Sequence, residues 1–181
     1  MKKIIVVIGM PCSGKSTHAR MLSEKLNFKY CCFENIIEDE IKNKTKIGVI
    51  LDRYTTSNTK IPDEYFIILL KEIIINLKEE GIVFDDFPKT INQAKALDSF
   101  LFSRKIHRPH VIFLDIEMLD LTQRIRVKEK IDDVSDTFRR ILGLYNLNTK
   151  PVVDYYENKM DFNVSKLDIQ SANDKIIEDL L

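Results

Sequence analysis

Cysteine is scarce in this chain: only Cys12, Cys31 and Cys32 are present. An odd count without paired metal-ligand spacing argues against a disulfide framework or a zinc site and fits a reducing cytosol. His18, His107 and His110 lack a metal-like arrangement and read as surface or packing residues. Net charge is also missing, with 28 Lys+Arg against 28 Asp+Glu, so no global field draws the chain to nucleic acid or an anionic membrane. No apolar stretch approaches the length needed to span a bilayer. The opening MKKIIVVIGM resembles a signal peptide in its two lysines and apolar run, but that run leads into a glycine-containing loop and no small-residue cleavage site follows. No repeat or low-complexity segment stands out. These absences point to a soluble, cytoplasmic protein with a small, locally charged site, and a monomer is expected. Its 181 residues are enough for one domain with a full core.

What is present begins with GMPCSGKST, residues 9–17. Gly9, four residues, Gly14, Lys15 and Ser16 match the phosphate-binding loop pattern in full. Such a loop turns backbone N–H groups inward and places the positive end of a helix dipole against a polyphosphate. Lys15 is expected to reach the outer phosphates and Ser16 to ligate Mg²⁺. The alternative is an ordinary glycine-rich turn, but the context favours the loop. Ile4 to Ile8 read as a buried parallel strand, and Ala19, Leu22 and Leu26 recur at helical spacing directly afterwards.

Further strand-like runs lie at Phe28 to Cys32, Ile82 to Phe84, Val111 to Leu114 and, weakly, Phe162 to Leu167, with helical patterns between them. The spacing predicts a helix from Pro62, taken as its first helical position, to a far end at Gly81, with Phe66, Ile67, Leu70, Ile73, Ile74 and Leu77 on one apolar face. Alternating strands and helices imply an α/β fold with a parallel five-stranded sheet covered on both faces. Ligands in such folds sit beyond the carboxyl ends of the strands.

Two strands end in acids. IVFDDFPKTINQA carries Asp85, which beside a phosphate loop can hold Mg²⁺ or its water; a solvated turn acid is the structural alternative. Asp115 ranks second, because it sits at a strand-to-helix junction where an acid complements the helix N-terminus. Thr90 and Gln93 have capping-box spacing, so capping competes with ligand contact at Gln93.

In order and spacing, GMPCSGKST, IPDE, FDDFPKTINQA, KIDDVSDTFRR and NTKPVVDYYE resemble the adenylate kinase family of nucleoside monophosphate kinases over nearly the whole chain. The resemblance implies a P-loop NTPase fold with a core of residues 1–32, 62–125 and 135–181, a monophosphate-binding insertion at 33–61 and a short lid at 126–134 without a zinc finger. It also implies ATP and Mg²⁺ as donor and cofactor and a nucleoside monophosphate as acceptor. Gly9, Cys12, Ser13, Gly14, Lys15, Ser16 and Thr17 would surround the donor phosphates, Arg124 would pack on the donor base, and Ser16 and Asp85 would serve the metal. Lys15, Asp85, Lys128 and Lys130 are the catalytic candidates; Phe33, Glu38, Ile61, Asp86, Lys89 and Gln93 are the acceptor-side candidates. Asp132 and Asp133 would hinge or anchor the lid rather than react.

The acceptor side departs from the family pattern. Phe33 and Glu38 replace a threonine and an arginine, and Asp86-Phe87-Pro88-Lys89 replaces Gly-Phe-Pro-Arg. Lys130 stands for a lid arginine and Ile141 for a helix arginine, where Phe138, Ile141, Leu142 and Tyr145 instead form an apolar stripe. Lysine keeps the charge but not the bidentate fork. Phe33 either fills space or stacks on a base, and filling is favoured. Three functions stay open: a divergent nucleoside monophosphate kinase, a nucleotide-binding pseudokinase, and a kinase of a less anionic small acceptor.

Overall fold

The structure is a computed structural model that describes residues 2–130 and 133–158, and the backbone of 164–168. Strand β1 (Lys3–Gly9) leads through the glycine-containing loop into helix α1 (Lys15–Leu26). Then follow β2 (Lys29–Cys32), α2 (Phe33–Lys42), α3 (Lys46–Thr56), α4 (Asp63–Ile75) and β3 (Gly81–Asp85). The chain continues with α5 (Ile91–Ser103), β4 (His110–Asp115), α6 (Met118–Glu129) and α7 (Ser135–Leu144). A π-helical turn at Tyr145–Thr149 passes directly into α8 (Lys150–Glu157), and β5 (Val164–Asp168) closes the order. Residues 162 and 163 of the expected last strand lie outside the described residues.

The strands run in the order β2-β3-β1-β4-β5, with every pairing parallel. Side chains are described for β2, β3, β1 and β4, and β5 pairs by its backbone along the free edge of β4. Alternation along β1 divides the core. Ile5 and Val7 point to α1 and meet Ala19, Leu22, Val83 and Leu114. Ile4, Val6 and Ile8 point the other way, into a larger cluster with Phe84, Leu70 and Ile74, Leu97 and Leu101, and Tyr156. Burial on both sheet faces explains why these strands read as unbroken apolar runs instead of alternating ones. Among the described residues no helix is long and apolar enough to cross a membrane.

Two local expectations are corrected. Pro62 is the N-cap of α4 rather than its first helical residue, and the helix ends at Ile75, well before Gly81. Gly81 is instead the first residue of β3, and Leu77 is buried in the connection. The apolar pattern extends beyond the helix because the core continues beneath the loop. Residues 126–129 of the segment expected as a lid form the last turn of α6, and Lys130 caps it with φ 54°. Asp132 lies outside the described residues. Asp133 is exposed and accepts from the Ser135 N–H at 2.9 Å, at the start of α7. Ile141 is buried with Met10, Ile116, Leu121, Ile125 and Val134, so the apolar stripe on α7 is core.

Candidate active site

β1 and β3 are neighbours, and their carboxyl ends place the glycine-containing loop beside Asp85 and Asp86. Gly14 adopts φ 90°, which a glycine takes without penalty, and it forms the N-cap of α1. Cys12 adopts φ 66° in the same loop. Two side chains brace the loop from outside. The Arg124 guanidinium on α6 donates to the Ser13 carbonyl at 3.1 Å, and His18 Nδ1 lies 3.0 Å from the Gly14 carbonyl. His18 is nearly buried and has the packing role expected of it. Ser16 and Thr17 are exposed at the start of α1, and the Ser13 hydroxyl is buried without a partner.

Asp85 alternates with Val83, which lies in the α1-side cluster, so its carboxylate is on the face where α1 begins. One oxygen, Oδ2, accepts from the Tyr30 hydroxyl at 2.6 Å. The other, Oδ1, is buried and has no partner. Burial first, then the hydrogen bond to Asp85, pushes the Tyr30 hydroxyl well above its ordinary range, so it stays a donor. Arg20 stacks on the Tyr30 ring at 4.3 Å. Asp115, the second-ranked acid, is exposed, and its Oδ1 accepts from the Ile116 N–H at 3.0 Å, as a junction residue would.

Asp86 follows with φ 56° and donates its N–H to the Val7 carbonyl at 3.0 Å. Its Oδ1 lies 3.5 Å from Lys15 Nζ and its Oδ2 lies 3.3 Å from Lys89 Nζ. Lys89 also pairs with Glu34. Burial lowers the Lys89 ammonium, but Asp86 and Glu34 outweigh that effect and hold it above its usual value. Burial raises Glu34, yet Lys89 brings it below the usual carboxylate range. For Asp86 burial prevails and raises the carboxyl against the pull of Lys15 and Lys89.

A cleft of about 360 Å³ opens beside this array, lined by Gly9, Asp86, Lys89 and Gln93 on one wall and by Ile61, Phe66 and the π-turn residues Tyr145, Asn148 and Thr149 around it. Gln93 is fully engaged. Its Oε1 accepts from the Lys89 N–H at 2.8 Å and its Nε2 donates to Asp63 Oδ1 at 2.8 Å. Thr90 caps α5 by accepting from the Gln93 N–H at 3.2 Å and donates to Asp63 Oδ2 at 2.7 Å. Asp63 thereby ties the start of α4 to the start of α5 and fixes one wall of the cleft.

Several expected residues lie elsewhere. Phe33 does not line this cleft; it is buried 4.3 Å from Phe87 and also packs on Phe66 and Phe84, so it fills space. Glu38 is exposed on α2, away from the cleft, and Glu34 supplies the nearby anion. Lys128 and Lys130 are exposed at the end of α6. Sequence reasoning missed Glu34, Tyr30 and the bridging role of Asp63. The first two had no local signal: the parallel pairing of β2 with β3, Cys32 opposite Asp85, brings Tyr30 to Asp85 and α2 to Lys89.

Among the described residues no cluster of three His, Cys, Asp or Glu side chains could hold a metal alone. A hydroxyl, a carboxylate and substrate phosphates form the hard-oxygen set that Mg²⁺ prefers, and the unpartnered Asp85 Oδ1 fits that role.

A family model described as adenylate kinase matches residues 7–161. The adenylate kinase of Bacteroides thetaiotaomicron is 32% identical, with 87% of this chain and 86% of that protein covered. That of Flavobacterium psychrophilum is 33% identical over 88% of this chain and 87% of its own length. That of Azobacteroides pseudotrichonymphae is 31% identical over 96% and 95%. With this extent of agreement and a phosphate loop set against strand-end acids, the chain belongs to the adenylate kinase family.

Proposed function

We infer that this chain is a nucleoside monophosphate kinase, transferring a phosphoryl group from ATP to a nucleoside monophosphate. The observation that carries this reading is the family match across the phosphate loop and the cleft beside it. Neither a pseudokinase nor a kinase of another small acceptor gains support from the comparisons.

The residues divide the work as follows. Gly9, Cys12, Ser13, Gly14 and Thr17 form the cradle for the donor phosphates, and Lys15 neutralises the outer ones. Arg124 holds that cradle from behind through the Ser13 carbonyl. Ser16 and Asp85 would hold Mg²⁺, Ser16 directly and Asp85 through water; the ion when bound neutralises phosphate charge and fixes phosphate geometry. Lys89 meets the acceptor phosphate, and Ile61 and Phe66 offer the apolar wall on which the acceptor packs. Gln93 acts through Lys89, because its Oε1 fixes the Lys89 backbone. Lys128 and Lys130 bring positive charge over the donor from the end of α6. Phosphoryl transfer asks little covalent chemistry of a protein, so positioning and charge neutralisation are the whole task. Helices α2 and α3 serve as the monophosphate-binding insertion, and the chain works as a cytoplasmic monomer.

The test is a screen of common nucleoside monophosphates with ATP and Mg²⁺, reading diphosphate formation. Turnover of at least one acceptor, lost by about a hundredfold or more in Lys15→Ala, supports the reading. No diphosphate from any acceptor rejects it.

A further inference from the structure

Asp86 lies between the lysine of the phosphate loop and the lysine of the acceptor wall, and no element of the fold needs its charge. Its backbone is in the left-handed region, which asparagine occupies as readily as aspartate, and its N–H is already used by the Val7 carbonyl. The carboxylate instead divides its oxygens between two cations, Oδ1 at 3.5 Å from Lys15 and Oδ2 at 3.3 Å from Lys89. Glu34 takes the far side of Lys89. Four charges of alternating sign, Lys15, Asp86, Lys89 and Glu34, therefore run from the phosphate loop to α2 and sum to zero. The array is not sealed in the core: the Asp86 side chain is 32% exposed, and both Asp86 and Lys89 line the cleft.

We propose that Asp86 is a tethered stand-in for substrate phosphate, occupying Lys15 and Lys89 in the ligand-free chain and yielding both when nucleotides bind. This rests on the kinase reading above and adds a competitor within its site. A carboxylate and a phosphate oxygen seek the same ammonium donors, so every entering phosphate exchanges with Asp86 instead of meeting a free cation. Asp86 thereby sets how much negative charge a ligand must carry to bind. Glu34 competes for Lys89 alone, so its influence is confined to the acceptor.

Calorimetric titration of the whole chain with Mg²⁺-free ATP, and separately with AMP, tests this at fixed ionic strength. Asp86→Asn keeps the backbone conformation and removes the charge; it should tighten both ligands by about tenfold or more. Asp86→Gly removes the side chain altogether and should do the same. Glu34→Gln should tighten AMP and leave ATP unchanged. Unchanged or weaker ATP binding in both Asp86 variants overturns the proposal, as does a Glu34→Gln effect equal on both ligands. Binding is read without turnover. Wild-type chain that binds ATP yet phosphorylates no monophosphate defeats the kinase reading and leaves the Asp86 comparison intact, whereas no binding by any form defeats both.

Discussion

The Tyr30 hydroxyl donates to Asp85 Oδ2 at 2.6 Å and leaves Oδ1 of the same carboxylate buried and unpartnered. One oxygen is fixed, and the other is the one proposed to serve Mg²⁺. Residues that orient a metal-binding carboxylate typically change metal affinity by 10–100-fold when removed, although they never touch the ion. Tyr30→Phe should therefore raise the Mg²⁺ concentration for half-maximal rate by about tenfold, while the ring stays stacked under Arg20. Initial rates across a Mg²⁺ series measure this. Superimposable curves for wild type and variant would show that Tyr30 only fills space.

Gly48 holds α2 against α3 at a distance that no side chain permits. A Cβ added there would lie 2.0 Å from the Glu40 carbonyl oxygen and 2.4 Å from its carbon, both backbone atoms. Gly48→Ala must push the helices apart at a cost of about 1–3 kcal/mol. Gly143, within α7, has nothing within 4 Å of its added Cβ. Gly143→Ala should instead gain about 0.5–1 kcal/mol of helix stability. Thermal melts of the two variants should move in opposite directions; an unchanged or higher melting temperature for Gly48→Ala would contradict the close approach of α2 and α3, and a lower one for Gly143→Ala would contradict the open space at Gly143.

Cys12 sits in the phosphate loop at φ 66°, where glycine is the unstrained choice. Left-handed backbone costs most L-residues roughly 1–2 kcal/mol, and glycine gives back about 0.4–1 kcal/mol through the unfolded chain. Cys12→Gly should thus gain about 0.5–1 kcal/mol net, equivalent to a melting temperature about 1–4 °C higher for a chain of this size. Calorimetric unfolding without nucleotide reads this, and a lower melting temperature would mean that the thiol contributes packing greater than the strain.

Burial pushes the Cys31 thiol up to about 12. Its thiolate fraction at pH 8 is then about one in ten thousand, and the side chain is also sealed from reagents. Cys12 is only half-buried and lies in the loop proposed to cradle the donor phosphates. With iodoacetamide at pH 8, peptide mapping should find Cys31 unmodified, and Cys12 modified and protected by ATP. Labelling of Cys31 at a rate comparable to Cys12 would place β2 in a more open environment than the sheet allows.

The phosphate loop and the division into strands and helices were legible because each is written in neighbouring residues or in a repeating period; the burial of Phe33 was the favoured of two readings for a residue also expected on the acceptor side. The charge environment of Lys89 in the cleft was not legible. Lys89 and Glu34 are far apart in sequence, as are Tyr30 and Asp85, and both meetings follow from the register that puts Cys32 opposite Asp85. Strand order decides that register, and strand order is set by packing rather than by any local pattern. Glu38 was expected at the acceptor because it stands where the family pattern has an arginine. The helical turn that starts at Phe33 instead presents Glu34 to Lys89 and leaves Glu38 exposed. Gly81 misled for a related reason: glycine marks helix ends and tight strand starts alike, and only the sheet distinguishes them.

Helix α6 runs unbroken from Met118 to Glu129 and carries both Arg124 and Lys128. Four residues apart, these two lie on one helical face, separated by about 6 Å along the axis. Arg124 is already fastened to the loop through the Ser13 carbonyl. In its proposed role, the positive charge at Lys128 is therefore mounted on a rigid rod fastened to the phosphate loop, not on a floppy strap. Much of the entropy that ordering a loose segment would cost at the moment of binding has been surrendered earlier, when the chain folded.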